Sequence, residues 1–343
     1  MKRFLNTLFV STQGAYLKKD RENIVIEIEG AEAARFPVHL LGQVACFGNV
    51  MCSPFAMGLC SENGVAVSFL TENGRYLSRM VGKTSGNVLL RKQQFRASED
   101  MGKAAEIAKA IVAGKVANQR TVIQRALRDH PEIEREGKIA RVIDLLKNNL
   151  ENLAEATDID RIRGIEGDSA NLYFGIFDDL ILCQKDDFVF RDRNRRPPTD
   201  NVNALLSFAY TLLMLDCRSA LESVGLDPQV GFLHADRPGR PSLALDLMEE
   251  FRPVIADRIA LNMINRQQLK GKDFDKTASG AVLMKDDARK RLIIEYQEKK
   301  KAELVHPFLN EKMGTSLLFH VQALLLARHL RGDLDGYPPY VWR

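Results

Sequence analysis

Apolar and polar positions alternate in short runs over residues 1–82 and then switch to a helical period. Leu5–Val10, Ala15–Leu17, Ile24–Ile28, Val38–Leu41, Val65–Leu70 and Tyr76–Val81 are runs of strand length. Turn chemistry bounds them at Lys19-Asp20-Arg21, Glu29-Gly30, Glu62-Asn63-Gly64 and Glu72-Asn73-Gly74. Asn-Gly between apolar runs predicts a hairpin, because both residues accept positive φ. Strands so short and close together predict a small β-sandwich-like domain over residues 1–82. Lys83-Thr84-Ser85-Gly86 breaks the pattern, and residues 83–97 read as a linker and a first helix.

Residues 98–343 predict a larger, nearly all-α domain, which makes the fold class α+β. Ile107, Ala108, Ile111 and Val112 form one helical stripe; Ile139, Val142, Ile143, Leu146 and Leu150 form another. Asp200 is placed to cap a helix that runs to Ser223 and closes at Gly225. Ser242 is expected to cap the next helix, which turns Leu247, Met248, Phe251, Val254, Ile255 and Ile259 inward. Thr315–Leu330 make a last apolar helix. Residues 331–343, with Gly332, Gly336, Pro338 and Pro339, read as irregular and mobile. No internal repeat is visible.

The 343 residues, 45% apolar, suffice for two domains with a sizeable core. No run of 18 apolar residues predicts a membrane span. The start, Met1-Lys2-Arg3-Phe4-Leu5, lacks a signal-peptide apolar region, so a cytoplasmic location is expected. The five cysteines include no CxxC pair, so free thiols are expected rather than a zinc or redox site. Net charge is only +4, but residues 79–128 hold eleven basic side chains against three acidic ones. Such a belt is either a footprint for a phosphate backbone or a solvated helix face. A second basic segment, Arg191-Asp192-Arg193-Asn194-Arg195-Arg196, leads into a helix N-terminus, where guanidinium forks and exposed amides both favour phosphate.

Three places carry candidate chemistry. Glu166 lies seven residues before Tyr173, on the apolar stripe Tyr173, Ile176, Phe177 and Leu180. A carboxylate there is costly unless it is paired or metal-bound; the alternative is a helix-start acid favoured by the macrodipole. His234 ends a short apolar stretch before a loop with Pro238 and Gly239. Asp246, Glu249 and Glu250 then fall on one helix face, as a site or as a solvated surface. Pro253 is expected to disturb that helix at Glu249. Two carboxylates and one imidazole suit Mg²⁺ or Mn²⁺ better than a structural zinc.

Arg163-Gly164-Ile165-Glu166-Gly167, Arg195-Arg196-Pro197-Pro198-Thr199-Asp200-Asn201-Val202-Asn203-Ala204-Leu205-Leu206, Gly231-Phe232-Leu233-His234 and Asp246-Leu247-Met248-Glu249-Glu250-Phe251-Arg252-Pro253 occur in this order. Together with Ser85-Gly86-Asn87-Val88-Leu89-Leu90-Arg91, they resemble the CRISPR-associated endonuclease/integrase family, the catalytic subunit of spacer acquisition. The resemblance implies a divalent ion, Mg²⁺ or Mn²⁺, held by Glu166, His234 and Glu249, with Asp246 as an auxiliary acid. It implies homodimers formed through the β domain. It also implies two such dimers around a small ferredoxin-like adaptation protein, and a DNA duplex with single-stranded 3′ ends as substrate. Its 3′-hydroxyl would attack the CRISPR repeat without ATP. Arg91, Arg193, Arg195 and Arg196 are the candidate DNA contacts. Two other readings stay open: a structure-selective nuclease that cuts branched DNA with water, and a non-catalytic DNA-binding scaffold whose acids are merely solvated.

Overall fold

The computed structural model describes residues 6–80, 82, 88–195 and 197–342. The Ser85-Gly86-Asn87 junction and Arg196 lie outside the described residues. The chain forms two units, Met1–Asn87 and Val88–Arg343.

The first unit holds strands β1 (Thr7–Val10), β2 (Tyr16–Asp20), β3 (Asn23–Ile28), β4 (Ala31–Pro37), β5 (Gln43–Phe47) and β6 (Met51–Cys52), helix α1 (Pro54–Glu62), then β7 (Ala66–Leu70) and β8 (Tyr76–Met80). They build two four-stranded sheets, ordered β1-β5-β7-β8 and β4-β3-β2-β6. Both sheets feed one core that includes Val10, Leu17, Ile24, Val44 and Val67. Pairs β1–β5 and β5–β7 run parallel, so the first sheet is mixed. Parallel neighbours need a crossover, and α1 supplies the one between β5 and β7.

Several expectations shift here. Asn73-Gly74 does close the β7–β8 hairpin. Asn63-Gly64 instead ends α1: Asn63 is its C-cap, and Gly64 takes φ +67°. Val38–Leu41, read as a strand, begins with a 3₁₀ turn over Val38–Leu40. The run of strands hid α1, whose start is Ser53 capping Ala56 N with Pro54 at the first turn.

The second unit comprises α2 (Val88–Glu99), α3 (Met101–Asp129), α4 (Lys138–Glu155), α5 (Ile159–Gly175), α6 (Asn201–Ser223), α7 (Ser242–Glu249), α8 (Arg258–Asn265), ribbon β9–β10 (Phe274–Lys276, Val282–Met284), α9 (Asp286–Lys301), ribbon β11–β12 (Glu303–Val305, Lys312–Gly314) and α10 (Thr315–Arg331). The two short ribbons are the non-helical remainder of a domain expected to be nearly all-α. Asp200 caps α6 through Asn203 N, as its position predicts. Ser242 does not cap α7; it is the first helical residue, and its hydroxyl bonds to Ala235 O. The single helix expected beyond it is broken into α7, a π-helical turn at Arg252–Asp257, and α8. Pro253, which lacks an N–H, sits in that turn, and π turns of this kind recur at functional sites. α6 is long and apolar enough to cross a membrane by length and composition, yet 78% of its most apolar window is buried in the unit. Residues 332–342 are irregular but anchored, with Tyr337 and Tyr340 only 5% and 3% exposed. The expected mobility of that segment is therefore corrected.

Candidate metal centre

The site assembles from α3, α5, the loop before α7, and the end of α7. Asp246 organises the loop. Its Oδ2 accepts the backbone N–H groups of Phe232 and Leu233, at 2.6 and 3.0 Å. Its Oδ1 accepts His234 N at 3.0 Å and lies 2.6 Å from His234 Nδ1. A carboxylate facing Nδ1 places the ring proton there and leaves a lone pair on Nε2. Gly231 permits this approach: a Cβ there would meet Asp246 Oδ2 at 2.8 Å. From α5, Arg163 Nε donates to Leu233 O and fixes the loop from the other side. Asp246 thus positions the imidazole and stands apart from the ion pairs around Glu249.

His234 Nε2 points to Glu249 Oε1, 3.9 Å away. Glu249 is 1% exposed. Its Oε1 pairs with Arg252 at 2.8 Å, and its Oε2 lies 2.8 Å from the Lys115 ammonium. Lys115, on α3, also pairs with Glu166 on α5. One ammonium therefore bridges the two carboxylates. Burial pushes the Glu249 carboxyl up, but the charges of Arg252 and Lys115 outweigh it and hold the pKa at about 2. Burial likewise opposes the charge on Lys115, and Glu249 and Glu166 overcome it, raising its pKa.

The sequence grouped Asp246, Glu249 and Glu250 on one helix face. All three are buried, at 0%, 1% and 0% exposure, so the solvated-surface alternative fails for them. They also serve different neighbours: Asp246 the histidine loop, Glu249 the cation cluster, and Glu250 the tyrosines of residues 337–340. Glu166 is the open member, its side chain 26% exposed.

The donor set suits a divalent ion. Two carboxylates and an imidazole with a free lone pair are hard-to-borderline ligands. Glu249 Oε2 is buried, and its one described contact is the Lys115 ammonium at 2.8 Å. Arg252 Nε and Gln119 Oε1 are buried with no described hydrogen-bond partner. Orphaned polar atoms gathered at one place mark a site rather than a finished core. As placed, no three acidic, imidazole or thiol groups among the described residues close around one point. The Lys115 ammonium instead supplies the cation between Glu166 and Glu249.

Beside Glu249 lies a cavity of about 230 Å³, lined by Lys115, Gln119, Arg193, Arg195, Tyr210 and Arg252 among others. Arg193 is held inward by Asn203 Oδ1 at 2.6 Å and Ser207 Oγ at 3.1 Å, while Arg195 is exposed. Arg91 lies half-buried on α2, away from these contacts. The basic belt is not one surface. Lys115 enters the site, Arg120 donates to Ile143 O, and Arg125 packs on Trp342.

Sequence reasoning missed Lys115, although a signal existed. It shares the face of Ile111 and Val112, where a lysine has no apolar reason to be. Arg252 was visible only as a neighbour of Pro253. Asn118, seven residues after Ile111, carried the same signal and was missed with it.

A family profile described as CRISPR associated protein Cas1 matches residues 8–298. A protein of Chlorobaculum tepidum named CRISPR-associated endonuclease Cas1 1 is 54% identical over 343 residues, covering 100% of both chains. Among solved structures, a CAS1 protein from Thermotoga maritima superposes with a TM-score of 0.81 at 24% identity, covering 95% of this chain and 97% of that one. A casposase bound to integration product superposes at 0.83, also at 24% identity, covering 99% and 95%. On the profile match and the full-length identity, this chain belongs to the CRISPR-associated Cas1 family.

Proposed function

We propose that the chain is a divalent-metal-dependent DNA endonuclease and integrase that joins a 3′-hydroxyl to a CRISPR repeat phosphodiester. The observation that carries this reading is the meeting of Glu166 and Glu249 on the Lys115 ammonium, with His234 Nε2 facing Glu249, beside an arginine-lined cavity. Glu166, His234 and Glu249 would hold Mg²⁺ or Mn²⁺, which when bound stabilises charge on the phosphodiester and lowers the pKa of an attacking hydroxyl. Asp246 keeps the imidazole oriented, as outer partners of metal ligands do. Arg195 and Arg252 face the cavity and meet phosphate oxygens. Arg193 braces the loop that presents Arg195, and Arg91 contacts the backbone further along. Such contacts carry no sequence information, which suits an enzyme that accepts varied DNA. In strand transfer a new P–O bond to the 3′-oxygen replaces the repeat's own P–O bond, so bond energy is conserved and no ATP is required.

The name of the Chlorobaculum relative supports nuclease activity, and the product held by the casposase supports strand transfer. A duplex with single-stranded 3′ ends is the proposed donor. A homodimer formed through the first unit and a small ferredoxin-like adaptation protein are the proposed partners. Removing residues 1–82 then yields a monomer by sedimentation; a truncated chain that still sediments as a dimer rejects that interface. Water attack on branched DNA would use the same residues. The separating assay offers a 3′-hydroxyl duplex, repeat DNA, the small partner and Mn²⁺ to the native chain and to His234→Ala. Joined product from the native chain alone is expected. Cutting without joining favours hydrolysis, and equal activity in both proteins rejects this metal centre.

A further inference from the structure

Residues 337–342 form a strap over the end of α7 and the middle of α3. Glu250, next to Glu249, is fully buried. Its described partners are all uncharged. Oε1 accepts Tyr337 Oη at 2.6 Å. Oε2 accepts Tyr340 N at 2.7 Å and Gln322 Nε2 at 3.0 Å. The Glu250 carbonyl accepts Asn118 Nδ2 at 2.7 Å. Asn118 stands one turn along α3 from Lys115, and it grips the strap too. It donates to Tyr340 O at 2.9 Å and accepts Trp342 N at 2.7 Å. The Trp342 ring packs against the guanidinium groups of Arg125 on α3 and Arg258 on α8, 3.6 and 4.3 Å from its centre.

Gly114, the residue before Lys115, fixes how closely the strap sits. A Cβ there would meet Pro339 Cβ at 2.9 Å and Glu250 Cγ at 3.2 Å. The strap therefore ties α3, which carries Lys115, to the α7 end, which carries Glu249. A buried carboxylate without a cationic partner depends on well-directed donors. Two of the three donors to the Glu250 carboxylate come from the strap. If the strap shifts, Glu250 must find new partners, and its neighbour Glu249 moves with it.

We infer that this strap is a positioning element for the candidate metal centre, and that Tyr337, Tyr340 and Asn118 are positioning residues. The inference rests on the metal-centre reading above. None of the three touches Glu166, His234 or Glu249 in the described contacts; they act through Glu250 and α3.

The test uses the full chain, with Mn²⁺ binding measured by calorimetry and cleavage of branched DNA resolved into kcat and KM. Glu249→Gln is the reference for the metal reading. Gly114→Ala lifts the strap without weakening the helix, since alanine is the better helix former. Tyr337→Phe removes one oxygen. Each is expected to weaken Mn²⁺ binding and lower kcat by about tenfold, the lower end for loss of an outer partner. KM for DNA and the helical circular dichroism should stay unchanged. If Glu249→Gln abolishes Mn²⁺ binding while both strap variants bind as the native chain does, the strap inference is overturned, even where their melting temperatures fall. If Glu249→Gln binds Mn²⁺ like the native chain, the metal reading fails and takes the strap inference with it. Should Gly114→Ala not fold, Tyr337→Phe decides alone.

Discussion

Two buried lysines in the helical unit meet carboxylates in different ways. Lys300 on α9 lies 2.9 Å from both oxygens of Asp216 on α6, and Tyr296 donates to the same carboxylate at 2.8 Å. Both side chains of that pair are 3% exposed. Lys115 instead divides itself between Glu166 and Glu249, on separate helices, and Glu166 opens to solvent. The first arrangement is buried on both sides and joins two helices. The second leaves Arg252 Nε without a described hydrogen-bond partner and borders a cavity. Burial alone does not distinguish a structural ion pair from a site; unfinished bonding at a solvent-facing edge does.

The sharpest break of the comparison exchanges one acid at a time. Glu249→Gln should lower metal-dependent cleavage or joining by on the order of a thousandfold, the several kcal/mol such a centre supplies. Its urea midpoint should move less than that of Asp216→Ala, because Lys115 keeps Glu166. Asp216→Ala removes the carboxylate that Lys300 and Tyr296 share in the core and should cost about 3–5 kcal/mol in urea denaturation, with the folded protein still active. A thousandfold activity loss in Asp216→Ala at full folding would erase the distinction.

A third buried acid tests the same contrast through pH. Burial raises Asp257 from 3.8 to about 6, against the pull of the Tyr210 and Tyr173 hydroxyls and of Arg252 and Arg193. Below its unfolded pKa the group is protonated in both states. Between about pH 4 and 6 the folded chain keeps a proton that the unfolded chain has released. The Asp257 contribution to stability should therefore fall by about 3 kcal/mol across that window and change no further above it. Asp257→Asn should flatten the decline in chemical denaturation at stepped pH; an unchanged slope would assign it elsewhere. The smallest effect belongs to the exposed Lys147–Glu151 pair, 3.7 Å apart. Lys147→Ala should change stability by about 0.5 kcal/mol or less, since water already solvates both charges.

Local chemistry made much of the fold legible. Asp200 announced α6, Asn73-Gly74 announced a hairpin, and the stripe Ile107, Ala108, Ile111 and Val112 announced α3, where all four are at most 1% exposed. Errors arose where one local signal serves two structures. Asn63-Gly64 ends a helix as readily as it turns a hairpin, because both uses need only positive φ. Glycines and prolines in 331–343 argued for mobility, but Tyr337, Tyr340 and Trp342 in the same stretch find partners more than two hundred residues away in Asn118, or across α10 and α7.

By itself the sequence determined the β-then-α order and the cap of α6, together with the residue types from which the candidate site is built. These depend on contacts within a few residues, where periodicity and turn chemistry act. Only the tertiary structure decided which acids share a site. It turned Asp246 to the histidine loop, Glu249 to Lys115 and Glu250 to the strap, though the three lie within five residues on one helix end. The physical reason is that a buried carboxylate takes its role from the donors and cations around it. Those come from α3, α5 and residues 337–340, whose distance along the chain says nothing about their distance in space.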